Sequence, residues 1–214
     1  MKALLGFNPW LKMWVKPKFT IRKIVDYNPN FRLFFLSTIY GFVSLLSSSQ
    51  SFALGNTLHF FLVLLISLII APLWGYIAFS VSSFFIFVTG KWLKGKAKFT
   101  EVRSALAWAN APMIVNVVLW ILLLIIFRED ILKDFPEGFV LTKADRVLIF
   151  LISLCQLVIS IWIIVLYINA LAEVQKFSIG RAVLNIVIAI VIFAFVFFVI
   201  SLICFLIMKG FNLR

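Results

Sequence analysis

Three short segments of the 214-residue chain repeat one pattern of residue types: Lys18-Phe19-Thr20-Ile21-Arg22-Lys23, Lys98-Phe99-Thr100-Glu101-Val102-Arg103 and Lys176-Phe177-Ser178-Ile179-Gly180-Arg181. The chemistry of K-F-[ST]-x-x-[KR] is binding rather than bond-making. A hydroxyl caps a helix start, an aromatic ring dips into the membrane interface, and the bases meet phosphates or the cytoplasm. Any helix passing from cytoplasm to bilayer favours these types, and so does a basic surface for anionic lipid or a protein partner. One carboxylate stands by each unit: Asp26, Glu101 and Glu173. They either pair with neighbouring Lys or Arg or form a shared polar cluster; a gathered divalent metal is the least favoured reading.

Constellations for bond-making are missing. The chain has one histidine, His59, at a span boundary, and two cysteines, Cys155 and Cys204, inside apolar runs where packed free thiols are expected. There is no His/Cys metal spacing and no serine elbow. Gly90, Gly95 and Lys96 share a basic turn without the spacing of a phosphate-binding loop. Neither an enzyme nor a cofactor is expected.

The elements that must position the repeated units follow from composition. The chain is 64% hydrophobic and 13% charged, against roughly half and a quarter in soluble domains. That excess of apolar residues has to face lipid. Segments of alternating polarity, the mark of a β-barrel, are absent, so the fold class is all-α, a polytopic transmembrane bundle. The net charge of +12 sits at span boundaries, which points to the positive-inside bias and away from nucleic acid.

Residues 1–30 form a cytoplasmic or interfacial amphipathic segment. Phe7, Trp10, Leu11 and Trp14 fall at helical spacing among Lys12 and Lys16, suiting a short helix that lies with its aromatic side on the bilayer. No cleavable signal peptide is expected, because the first 30 residues contain only short apolar pieces and no continuous apolar block of about 7–15 residues. Pro17 ends that helix, and Thr20 caps a second with Ile21, Ile24 and Val25 on one side. Residues 31–214 hold five spans, at about 33–50, 58–89, 104–127, 146–172 and 182–208. The second stretch is long enough for two passes and contains Pro72; charge parity favours one kinked helix. The third kinks at Pro112, and Thr142 with Asp145 opens the fourth as a capping box. The loop between the third and fourth spans carries Glu129, Asp130, Asp134, Glu137 and Asp145. Of the 20 basic residues, 14 fall on the N-terminal side of the membrane in this scheme. The N-terminus is therefore cytoplasmic and the C-terminus outside, as in a bacterial inner membrane protein.

Within the spans only mild polarity occurs, and no Asp, Glu, Lys or Arg lies at mid-depth. Ser153, Gln156, Ser160 and Tyr167 align on the fourth span, and Ser37, Tyr40, Ser44 and Ser48 on the first. Ala71, Gly75, Ala78 and Ser82 make a small-residue stripe on the second. Such stripes serve helix packing or line a polar path. Asn110 and Asn116 flank Pro112 and are placed to satisfy backbone freed by the kink.

Pro9-Trp10, Trp14 and the run Pro17 to Pro29 resemble the opening of bacterial members of the Yip (Ypt-interacting protein) domain family. Gly90 to Pro112, ending in Trp108-Ala109-Asn110-Ala111-Pro112, resembles that family's middle signature, and Ala172 to Ser178 the junction before its last span. The resemblance implies five spans and a cytoplasmic N-terminus. Eukaryotic relatives interact with Rab-type GTPases in vesicle trafficking. This chain departs from them in lacking their long hydrophilic N-terminal region, so GTPase binding is not carried over.

The expectation is a non-enzymatic membrane protein that organises the bilayer, anionic lipids, a membrane-protein partner or further copies of itself. Its contacts are Lys18, Thr20, Arg22, Lys23, Asp26, Lys94, Lys96, Lys98, Thr100, Glu101, Arg103, Glu173, Lys176, Ser178 and Arg181. The alternative is a small transporter, channel or lipid-translocating protein that uses the polar residues of the first and fourth spans.

Overall fold

Proline sets the first two helix starts. In the computed structural model, which describes residues 6–134 and 142–211, α1 (Pro9–Val15) opens on Pro9 with the Asn8 side chain accepting from the Trp10 amide at 3.0 Å. Pro17 then opens α2 (Pro17–Tyr27). At the first helical position proline loses nothing, since its missing N–H has no intrahelical partner there. Thr20 is not the cap expected of it. It lies inside α2, fully buried, and its hydroxyl donates back to the Lys16 carbonyl at 2.8 Å.

The apolar runs give α3 (Leu33–Ser51), α4 (Phe60–Trp92), α5 (Phe99–Ala109), α6 (Met113–Phe127), α7 (Lys143–Gln175) and α8 (Ile179–Phe211). Short 3₁₀ turns at Leu54–Asn56 and Arg128–Leu132 complete the order. Among the described residues there is no strand. Helices α3, α4, α7 and α8 are each long and apolar enough to cross a membrane; α5 and α6, bent by 44° at the break around Pro112, make a fifth when the bent pair is taken as one span. Pro72 lies within α4 without interrupting it. The long stretch is one helix. Asn110 stands at the break, its side-chain amide donating at 2.9 Å to the Leu106 carbonyl, which also takes the Asn110 backbone N–H at 3.3 Å and so is not a group freed by the kink. Nor does Asn116 serve such a group: it donates to the Met113 sulfur at 3.0 Å. The capping box at the head of α7 forms, with the Asp145 amide donating to the Thr142 hydroxyl at 3.1 Å.

The small-residue stripe of α4 packs on α3. A Cβ on Gly75 would run into the Ser37 carbonyl, and one on Gly41 into the Ala71 carbonyl. This backbone approach sets the first residues of α3 level with the middle of α4. Helices α4, α7 and α8 have 33 residues each, about 50 Å at 1.5 Å per residue, against about 30 Å of hydrocarbon. The surplus of α4 past Phe79 overshoots the start of α3 and builds one end of the molecule together with α1, α2 and α5. The principal core lies at that end, and includes Met13, Ile21, Ile24, Val102, Trp108, Leu171 and Val174. A smaller core around Leu46, Trp120, Leu123 and Leu132 serves the opposite end. There the Asn56 side chain donates to Asp134 at 2.9 Å, joining the two loops at that end. Glu137 and the last residues, 212–214, lie outside the described residues.

The N-terminal segment packs into the principal core through one face of each helix. The face of α1 that turns inward is Pro9 and Met13, with Leu11 and Val15 exposed. Trp10 meets Trp108 edge-on at 5.6 Å, and Trp108 donates to the Phe31 carbonyl at 3.1 Å. On α2 the expected face holds: Ile21, Ile24 and Val25 are buried, while Arg22, Lys23 and Asp26 are exposed. Cys155 and Cys204 are free thiols, exposed on the helix surface rather than packed.

Candidate functional site

The three repeated units meet at the end built by the principal core. The Lys96 amide donates to the Gln175 carbonyl at 3.2 Å, so the turn after α4 and the end of α7 touch directly. Only one unit uses its hydroxyl as a cap. Ser178 precedes α8 and accepts from the Arg181 amide at 3.4 Å. Thr100 lies within α5, whose start is held by Glu101 accepting from the Lys98 amide at 2.9 Å. Lysine, not the hydroxyl, occupies the cap position of the first two helices: Lys16, two residues ahead of the first unit, before α2, and Lys98, the first residue of the second unit, before α5.

The acids disperse rather than gather. Asp26 pairs with Arg22 at 3.3 Å, one turn away on the same helix, and Glu173 pairs with Lys176. Glu101 serves the helix start. Among the described residues no group of three His, Cys, Asp or Glu is placed to hold a metal ion. With the carboxylates spent locally, Lys18, Lys23, Lys94, Lys96, Lys98 and Arg181 are exposed and have no acidic partner among the described residues. Lys91, beside them, donates to the Gly95 carbonyl at 3.3 Å.

Arg103 is not on this surface. It is 8% exposed and its guanidinium donates to Tyr76 at 2.8 Å and Ser80 at 3.3 Å on α4, and to Asn30 at 3.1 Å before α3. The Tyr76 and Phe99 rings flank it at 4.9 and 5.3 Å. Every partner is neutral. A planar fork can serve three partners on two elements at once, so Arg103 ties α5 to α4 and to the link before α3.

Beneath the basic turn lies a buried polar joint that sequence reasoning misses. Gln175 is 1% exposed; its side-chain carbonyl accepts from the Ala97 amide at 3.3 Å, and its amide end lies against Gly90. Asn185, fully buried in α8, takes a hydrogen bond from the Thr89 hydroxyl at 2.6 Å. The only signals were a lone Asn one turn past Arg181 and the two glycines bracketing Lys91 to Lys94.

Apart from Asn110, which stays at the helix break, the intramembrane polar residues separate into two clefts. Gln156 and Ser160 of α7 face Tyr40, Ser44 and Ser47 of α3 and Asn116 and Trp120 of α6 across a cleft of about 280 Å³. Tyr167 belongs elsewhere, buried beside Phe85, Ile86, Leu106 and Phe193 in an apolar cleft of about 220 Å³. Neither a curated protein nor a solved structure matches the chain. A family model does, over nearly its whole length: residues 11–201 match the Yip1 domain, and the chain belongs to that family of membrane proteins.

Proposed function

We propose that this Yip1 domain protein is a non-enzymatic organiser of membranes, working through its basic end on anionic lipid surfaces at the cytoplasmic side of a bacterial inner membrane. The observation that carries this reading is the gathering of Lys18, Lys23, Lys94, Lys96, Lys98 and Arg181 at one end, with the neighbouring acids already engaged. Bases held near an anionic surface contribute about 1 kcal/mol each. Six of them suffice for firm association at low ionic strength and for release as salt shortens the screening length.

The test uses the full chain in neutral phosphatidylcholine nanodiscs, captured on vesicles with and without phosphatidylglycerol. Lys→Gln changes at 18, 23, 94, 96 and 98 are expected to abolish the preference for anionic vesicles. Equal capture by the substituted and native proteins at low salt overturns the reading.

A further inference from the structure

The cleft between α3, α6 and α7 contains an unmet hydrogen-bonding demand. Asn116 is 5% exposed and Trp120 is 2% exposed; the Asn116 side-chain carbonyl and the Trp120 indole N–H both lack a partner. The two residues stand one turn apart on α6, so an acceptor and a donor sit on the same wall of the cleft. Across from them lie Ser44, Ser47, Gln156 and Ser160. Two of these are only partly committed: Ser44 accepts from Trp74 at 3.2 Å and keeps its own proton to donate, while Ser160 donates to the Gln156 backbone carbonyl at 2.8 Å and keeps its lone pairs. No Lys, Arg, Asp or Glu lines the cleft.

This donor and acceptor set selects its guest by chemistry. A hydroxyl group can donate to an acceptor such as the Asn116 carbonyl and accept from a donor such as the Trp120 indole, a pair of roles that neither an ester carbonyl nor a cation can fill. A charged headgroup would find no counter-charge at this depth. At about 280 Å³ the space is far larger than the roughly 30 Å³ of one liquid water. Gln156 lies near the middle of α7, so the site opens at bilayer depth, where the available hydroxyls belong to lipids. We propose that this cleft binds the hydroxylated, uncharged headgroup of a neutral lipid of the diacylglycerol type. It is independent of the basic end.

The experiment is native mass spectrometry and lipid extraction of the full chain reconstituted with dioleoylglycerol, with trioleoylglycerol as the hydroxyl-free competitor. Dioleoylglycerol is expected to be retained about tenfold over the competitor. Trp120→Phe, which keeps the ring, and Asn116→Leu, which keeps the volume, are each expected to bring retention close to parity. Both proteins are compared at unchanged thermal stability; should one fail to fold, the other still decides. Equal retention of the two lipids by the native chain overturns the proposal, as does retention that neither variant alters. Water as the occupant, seen as rapid deuteration of the Trp120 indole without selective lipid retention, overturns it as well.

Discussion

The side-chain carbonyl of Gln175, at the last residue of α7, accepts from the Ala97 amide at 3.3 Å, while the Gln175 backbone carbonyl accepts from Lys96 at 3.2 Å. One residue thereby clamps the lysine-rich turn from both its backbone and its side chain. The clamp fits because Gly90 and Gly95 have no Cβ: one added at either would collide with the Gln175 amide group. Gly90→Ala and Gly95→Ala are each expected to expel the side chain and strand buried polar groups, at about 1–3 kcal/mol. Gly180→Ala is the control, since nothing lies within 4 Å of its Cβ position. Thermal unfolding in detergent should rank both clamp variants well below Gly180→Ala; equal midpoints would refute the clamp.

A harsher penalty is expected where the obstacle is backbone. Gly41 faces the Ala71 carbonyl and Gly75 the Ser37 carbonyl, and neither carbonyl belongs to a side chain that can swing aside. Alanine at either position forces α3 and α4 apart along their whole contact, at the upper end of the roughly 1–3 kcal/mol that overpacking costs. Gly41→Ala and Gly75→Ala should therefore lower the unfolding midpoint at least as far as Gly90→Ala. A midpoint like that of the native chain would mean the two helices are not held this closely.

Arg103 is buried with neutral partners only, and its value lies in geometry. The ammonium of Arg103→Lys cannot reach Tyr76, Ser80 and Asn30 together, so the link before α3 loses its tie. Hydrogen exchange across residues 28–33 is expected to accelerate several-fold in Arg103→Lys, with little change in α8. Unchanged exchange in that link would show that Trp108, through the Phe31 carbonyl, holds it alone.

How far these features are legible in sequence depends on whether a signal is periodic or pairwise. The spans are legible because apolar runs and the side of each lysine are local quantities, and Thr142 with Asp145 announces its cap three residues apart. The inner face of α2 can be read for the same reason. The burial of Arg103 cannot, because it depends on Tyr76 and Asn30, which approach only after α5 has folded back along α4. Likewise Gln175 looks like one more polar residue at the end of a span until the turn at Gly95 closes over it. Asn116 and Gln156 stand 40 positions apart, and only the packing of α6 on α7 shows that they share a cleft while Tyr167, on the same helix as Gln156, does not.

The two ends of the molecule make the topology testable as a unit. Asn56 is joined to Asp134 at one end, and Ser178 stands beside the basic turn at the other; both residues are exposed. Lysine and arginine concentrate at the Ser178 end, which the positive-inside bias assigns to the cytoplasm. In a background of Cys155→Ala and Cys204→Ala, Asn56→Cys is expected to react with a membrane-impermeant maleimide in intact cells. Ser178→Cys should react only after permeabilisation. The reverse pattern would place the basic end outside and remove the anionic cytoplasmic leaflet as its target. Labelling of both from one side would break the five-span arrangement itself, because α4 and the broken pair α5–α6 must carry the chain across between α3 and α7.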